Sequence, residues 1–269
     1  MSGATILCYH SIASAGPKKA MQDDSVSCAL FREHMAYLQE REYSFLSLGQ
    51  LCSLLENRQP VPSRSVILTF DDGYRNNYTH AYPILAEFKI PATIFLTVSY
   101  IGMLEFPWLS KCVTPDNVED LSPLNWSQVS ELIREGIEMG SHSHTHMLLP
   151  LVNNTQLLEE LSVSKQRIEE KIGQRVHSFA LPYSFPIWHW RWPTFWPRLV
   201  DSLERSGYSS CCTLVRGHIS QSDYPFRLKR IVITKHDNLP LFRAKISSAY
   251  SWTRVPQFGF QLLFKKYKV

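Results

Sequence analysis

The sequence predicts an α/β domain built on a mainly parallel sheet, open or closed as a barrel, and three observations carry that expectation. Short apolar runs rich in β-branched residues, such as SVILTF (65–70) and PATIFLTV (91–98), suit strands covered on both faces. The segments between such runs carry apolar residues at helical spacing. Polar clusters recur at the carboxyl ends of the candidate strands, where parallel architectures gather their reactive groups. A hydrophobic content of 44% over 269 residues can fill one sizeable core. No low-complexity linker or fixed-period repeat divides the chain, so a single domain over 1–269 is expected.

In chain order, TILCYH (5–10) reads as the first strand and residues 28–41 as a helix. SVILTF follows, and in NNYTHAYPILAEFK the residues Tyr78, Ala81, Tyr82, Leu85 and Phe88 form a helical stripe, with Pro83 either in its first turn or kinking it. PATIFLTV completes a βαβ unit. Trp126, Val129, Leu132 and Ile133 mark a helix ending near Gly136, and IEMG (137–140) leads as a strand into a histidine cluster. A longer helix over 155–172 stops at Gly173, and VHSFAL (176–181) is the next strand. YSSCCTL (208–214) and RLKRIVI (227–233) are the remaining strands, with helices near 195–206 and 238–250.

Composition excludes several classes. The net charge of +4 is mild and, apart from the C-terminal KKYK, its basic residues are scattered, so no nucleic-acid groove is expected. Six cysteines contain no CxxC, and Cys211 and Cys212 are chain neighbours, which argues for reduced thiols in a cytoplasmic setting. MSGATILCYHSIA has neither a charged n-region nor a long apolar stretch, so neither a signal peptide nor a membrane span is read from the chain.

Four polar clusters end strands: Tyr9-His10, Asp71-Asp72, SHSHTH (141–146) and Pro182-Tyr183. Adjacent carboxylates at a buried strand end repel and lose hydration, so they need a cation or a shared proton. If SHSHTH continues as a strand, His142, His144 and His146 share a face; if it turns helically, His142 and His146 meet at i, i+4. Either way two imidazoles could join one carboxylate around a divalent metal with open positions, as catalytic zinc sites do. The other carboxylate would then accept a proton from the attacking water. Asp72 is the first candidate for ligand and Asp71 the second, because an extended backbone sends successive side chains in different directions.

TFDDGY (69–74), GSHSHTH (140–146) and ALPYS (180–184) together resemble the polysaccharide deacetylase family, the NodB-type homology domain of carbohydrate esterase family four. ILCYHSI near the start, FREHMAYLQEREYSFLSLGQL after it and FRLKRIVI near the end resemble the subgroup whose domain opens with a YH motif. The resemblance implies a distorted (β/α) barrel with a divalent metal on Asp72, His142 and His146, most readily zinc, with nickel, cobalt or manganese as alternatives. It also implies Asp71 as general base, His10 as general acid and the Tyr183 backbone N–H as an oxyanion donor. Pro182 would fix the approach of that backbone. The implied reaction is hydrolysis of the N-acetyl group of an amino sugar in a glycan or lipid-linked sugar. An N-formyl sugar or a non-sugar amide is the alternative, and a non-catalytic glycan-binding module a more remote one.

Three departures from the family pattern stand out. Ala180 occupies the place of an arginine that orients the base in many relatives, so something else must hold Asp71. Ser184 replaces a glycine after Tyr183. The segment 184–197, SFPIWHWRWPTFWP, places Trp188, Trp190 and Trp192 where an extended chain would align them on one face to stack on sugar rings or rest at a lipid interface. With Tyr74 and Pro182 they are the candidate substrate-binding residues. The C-terminal FQLLFKKYKV could add a weak peripheral contact with an anionic membrane.

Overall fold

The structure is a computed structural model that describes residues 3–14, 24–109, 118–183 and 194–247. Its strands are β1 (Ala4–Tyr9), β2 (Ser11–Ala13), β3 (Ser25–Ser27), β4 (Ser44–Phe45), β5 (Ser65–Phe70), β6 (Ala92–Leu96), β7 (Glu138–Ser141), β8 (Ser178–Ala180), β9 (Ser210–Cys212) and β10 (Ile231–Val232). The helices are α1 (Cys28–Glu40), α2 (Leu48–Glu56), α3 (Tyr82–Phe88), α4 (Val118–Leu121), α5 (Trp126–Arg134), α6 (Asn154–Ile172), α7 (Phe195–Arg205) and α8 (Leu239–Ile246).

The main sheet is parallel throughout in the order β10-β1-β5-β6-β7-β8-β9, with β4 also on β5. It curls until its ends meet: Leu228 donates to Cys211 and accepts from Thr213, and the chain then runs directly into β10 beside β1. The result is the distorted (β/α) barrel expected from the sequence. β10 is shorter than the apolar run 227–233 suggests, because Pro225–Arg227 forms a 3-10 turn and Leu228 bridges to β9 instead.

Side-chain alternation divides the core in two. Leu7, Val66, Leu68, Phe70, Ile94, Leu96, Phe179 and Ile231 face the surrounding helices in one large cluster. Ile6, Ile67, Phe95, Ala180, Cys212 and Leu228 fill the barrel interior, with Leu48, Leu51, Cys52 and Leu55 of α2 in the same cluster. Gly140 is required there, since a Cβ on it would lie 2.4 Å from the Phe95 ring. Positions of the same parity further along β1 and β5 are Cys8, His10, Thr69 and Asp71. The inward face therefore turns from apolar to polar at the carboxyl end.

Helix ends follow their sequence signals. Asn125 and Asn153 close capping boxes with Gln128 and Gln156, and α6 ends at Gly173 in the left-handed conformation. Pro83 sits in the first turn of α3, directly after a π-helical turn at Asn77–Ala81, so the helical stripe is real but its backbone changes pitch ahead of the proline. The α2 helix and the β2–β3 ladder have no counterpart in the sequence reading. α8 begins as expected and ends at Ile246.

Candidate metal centre and active site

Strand register brings the first two clusters together. Tyr9 pairs with Phe70, so the next residues, His10 and Asp71, leave their strands side by side. The Asp71 N–H donates to the Tyr9 carbonyl at 2.9 Å. Two asparagines after the DDG turn hold the chain around His10: Asn77 Nδ2 donates to the His10 carbonyl at 2.8 Å, and Asn76 Oδ1 accepts from the Ile12 N–H at 3.1 Å. Ligating atoms of Cys8, His10 and Asp71 all lie within 4.8 Å of one another. Sequence reading missed the role of Asn76 and Asn77, although their place directly after TFDDGYR was a usable signal.

The two carboxylates part sharply. Asp72 has a left-handed backbone (φ 72°), and Gly73 continues the turn at φ 82°, where a Cβ would press on Leu96 at 3.0 Å. A strained turn, rather than the extended backbone invoked from sequence, sends the two side chains to different partners. Asp71 meets Arg230, whose Nη1 and Nη2 donate to Oδ1 and Oδ2 at 2.6 and 2.7 Å, both residues being buried. Arg230 also donates to the Thr213 carbonyl and the Thr69 hydroxyl, each at 3.2 Å, and the Cys8 thiol lies 3.5 Å from Asp71 Oδ2. Burial pushes the Asp71 carboxyl up, but Arg230 together with His142 and His10 outweighs it and holds it well below the usual carboxylate range. Arg230 thus supplies the orientation for which Ala180 left no residue. FRLKRIVI contains it, but nothing in one sequence said which basic residue turns inward.

SHSHTH follows neither geometry expected of it. It leaves β7 as an irregular loop, with Ser143 and His146 both left-handed at φ 69° and 60°. Ser143 Oγ accepts the His146 N–H at 2.9 Å, and Glu160 of α6 accepts the backbone N–H groups of His144 and Thr145 at 3.0 and 2.8 Å. The loop doubles back, so His142 and His146 converge while His144 turns to Ser99 Oγ at 3.2 Å.

His142 Nε2 and His146 Nε2 lie 3.5 and 3.3 Å from Asp72 Oδ1. That oxygen is buried and has no hydrogen-bond partner. His142 commits Nδ1–H to the Ala180 carbonyl at 2.8 Å, leaving a lone pair on Nε2. Burial, only partly offset by Asp71, lowers its pKa to about 4, so the ring is neutral near pH 7. Two imidazole Nε2 atoms and an unpartnered carboxylate oxygen facing one another in a buried site fit a divalent cation, with both imidazoles and the carboxylate as ligands. Among the described residues, Asp72, His142 and His146 form one such group.

An aromatic wall flanks the site. Trp108 stacks on the His146 ring at 4.5 Å and on Phe106 at 4.7 Å, while the Tyr183 ring lies 4.7 Å from His146. Trp108 was not anticipated. Tyr183 is 40% exposed with a left-handed backbone (φ 63°), and Pro182 is buried behind it. Tyr74 departs from its expected place at the substrate: it is 2% exposed, with its ring edge-on to Phe106 at 5.0 Å, and so offers no free face for stacking. Trp188, Trp190 and Trp192, Ser184 and the C-terminal tail lie outside the described residues, as does Cys112. Among the described residues, Cys8, Cys52, Cys211 and Cys212 are free thiols. No described helix is long and apolar enough to cross a membrane.

A parallel (β/α) barrel carrying an aspartate, two histidines and a second, arginine-gripped aspartate at its carboxyl end defines the class to which the chain is similar. The family model described as polysaccharide deacetylase matches residues 58–191, which include both aspartates, the histidine loop and Pro182-Tyr183. Residues 58–191 belong to the polysaccharide deacetylase family. The chain is 26% identical over 243 residues to YxkH of Bacillus subtilis, covering 90% of this chain and 76% of that protein. It is 25% identical over 274 residues to the poly-β-1,6-N-acetyl-D-glucosamine N-deacetylase of Escherichia coli K12, covering 91% of this chain but 38% of that enzyme. Its fold matches that of the Streptococcus pyogenes deacetylase PplD, solved with acetate, at a TM-score of 0.73 and 21% identity, over 91% of this chain and 98% of PplD.

Proposed function

We propose that this protein is a divalent-metal-dependent N-deacetylase that hydrolyses the N-acetyl group of an amino sugar within a glycan. The observation that carries this reading is the convergence of Asp72 Oδ1, His142 Nε2 and His146 Nε2 beside an Asp71 gripped by Arg230. The name of the E. coli relative supports N-acetylglucosamine polymers as the substrate class to try first. Zinc suits a set of two imidazoles and one carboxylate.

When bound, the ion would lower the pKa of water toward about 7 and polarise the acetyl carbonyl. Asp71 accepts the proton of the attacking water, and Arg230 keeps the carboxylate ionised and aimed. The Tyr183 backbone N–H donates to the oxyanion that forms when the water oxygen bonds to the carbonyl carbon. His10, held through its carbonyl by Asn77, gives a proton to the sugar nitrogen as the C–N bond breaks. Acetate and a free amine leave. Neither a serine nor a cysteine nucleophile is needed.

Incubating zinc-loaded protein with N-acetylglucosamine oligomers, and measuring acetate and new primary amine together, tests the reading. Equal amounts of both products are expected. Release of reducing ends without acetate would replace it with glycosidic cleavage.

A further inference from the structure

The two histidines at the site are secured by different means. At His142 the nitrogen away from Asp72 donates to the Ala180 carbonyl, which fixes both tautomer and ring plane. Such a bond to the non-ligating nitrogen is the usual device by which a protein orients a metal-binding imidazole. His146 lacks it: its Nδ1 is buried and has no hydrogen-bond partner. The backbone of His146 is also left-handed, so its side chain projects from a turn rather than from a regular element.

What His146 has instead is a ring contact. Trp108 lies over it at 4.5 Å with 27° between planes, and Tyr183 approaches at 4.7 Å. Trp108 is itself braced: Phe106 stacks on it at 4.7 Å and Tyr100 meets it edge-on at 5.3 Å. Behind them Tyr74, Phe106, Leu109 and Leu121 form a separate buried cluster. A backed indole face restricts rotation of an imidazole laid on it, because turning the ring out of plane opens a gap and forfeits dispersion contact.

We propose that Trp108 is the positioning residue for His146, holding its Nε2 toward Asp72 by ring stacking in place of a hydrogen bond to Nδ1. The proposal rests on the reading that Asp72, His142 and His146 hold a divalent ion. It makes the 3-10 turn Pro107–Leu109 part of the metal centre without a ligand of its own. It also makes metal affinity depend on an aromatic ring at position 108 rather than on a polar group there.

The test compares Trp108→Leu, which keeps apolar bulk but removes the flat face, with Trp108→Phe, which restores a face. Affinity for zinc is measured by chelator competition, and the visible spectrum of the cobalt-substituted protein reports ligand geometry. Thermal unfolding of the metal-free proteins shows whether each variant is folded. Trp108→Leu is expected to bind zinc 10- to 100-fold more weakly, about the effect of losing an orienting partner, and to show an altered cobalt spectrum. Trp108→Phe is expected to recover most of the affinity and the parent spectrum. Parent affinity and spectrum in folded Trp108→Leu would overturn the proposal, as would equal losses in both variants. A parent protein that binds no ion would instead overturn the metal reading beneath it, so the two failures are distinct.

Discussion

Arg230 grips both carboxylate oxygens of Asp71, at 2.6 and 2.7 Å, from the residue just before β10, 159 positions further along the chain. The pair is buried, and the Arg230 guanidinium is the largest influence opposing the desolvation of Asp71. Removing the cation alone would strand an anion in the barrel. Arg230→Met is therefore expected to lose about 3–5 kcal/mol of stability, measured by denaturant unfolding. Adding Asp71→Asn should recover much of that loss without restoring turnover. A double variant no more stable than Arg230→Met would show that the pair is not what the arginine stabilises.

His10 is tied to the same end of the barrel by strand register and by Asn77. If it protonates the leaving amine, His10→Ala should retain zinc and lose about 10²–10⁴ in kcat on an amide substrate. An activated ester needs no such proton and should suffer less. Equal losses on both substrates would assign His10 a structural role.

His144 points to Ser99, away from the convergence of His142 and His146 on Asp72. His144→Ala should keep its metal and His146→Ala should lose it, as read by elemental analysis of the purified variants. The reverse pattern would contradict the ligand assignment.

His34 gives a stability prediction remote from the metal centre. Its Nε2 donates to the Asp237 carbonyl at 2.7 Å, its Nδ1 faces the Tyr9 hydroxyl at 3.1 Å, and Phe242 stacks on it at 3.9 Å. Burial lowers its pKa from 6.5 to about 4; the bond to Asp237 and its charge oppose the shift, and Lys245 adds to it. Between those values the unfolded chain binds the extra proton, so stability is full above about pH 6.5 and falls as pH drops toward 4. At about 1.4 kcal/mol per unit, His34 accounts for about 3 kcal/mol of that fall. His34→Gln should flatten the pH dependence of unfolding in this window, and an unchanged slope would count against it.

Much of this architecture was legible in the chain because the signals were local. SVILTF became β5 at both of its ends, and the stop at Gly173 was found because a left-handed C-cap has a residue signature. The convergence of four strand-end clusters followed from parallel topology. What was not legible depended on contacts across the fold. Arg230 is one of several basic residues near the C-terminal strands, and only closure of the barrel turns it toward Asp71. The path of SHSHTH depends on Glu160 from α6, 16 and 15 residues beyond the His144 and Thr145 N–H groups it holds, a contact that no local period encodes. Trp108 reads as an ordinary aromatic in a loop until the His146 ring lies on it. Tyr74, expected at the substrate, instead lies in a buried cluster with Phe106, against which Trp108 packs.

On the proposed mechanism the adjacent carboxylates divide the labour, Asp72 holding the ion and Asp71 taking the proton, and one paired measurement separates the two roles. Zinc content and acetate release are determined together for Asp71→Asn and Asp72→Asn. Asp71→Asn should keep its zinc and lose most turnover, because an amide cannot take the proton of the attacking water, whereas Asp72→Asn should lose the zinc itself. Zinc lost from Asp71→Asn and kept in Asp72→Asn would contradict the account.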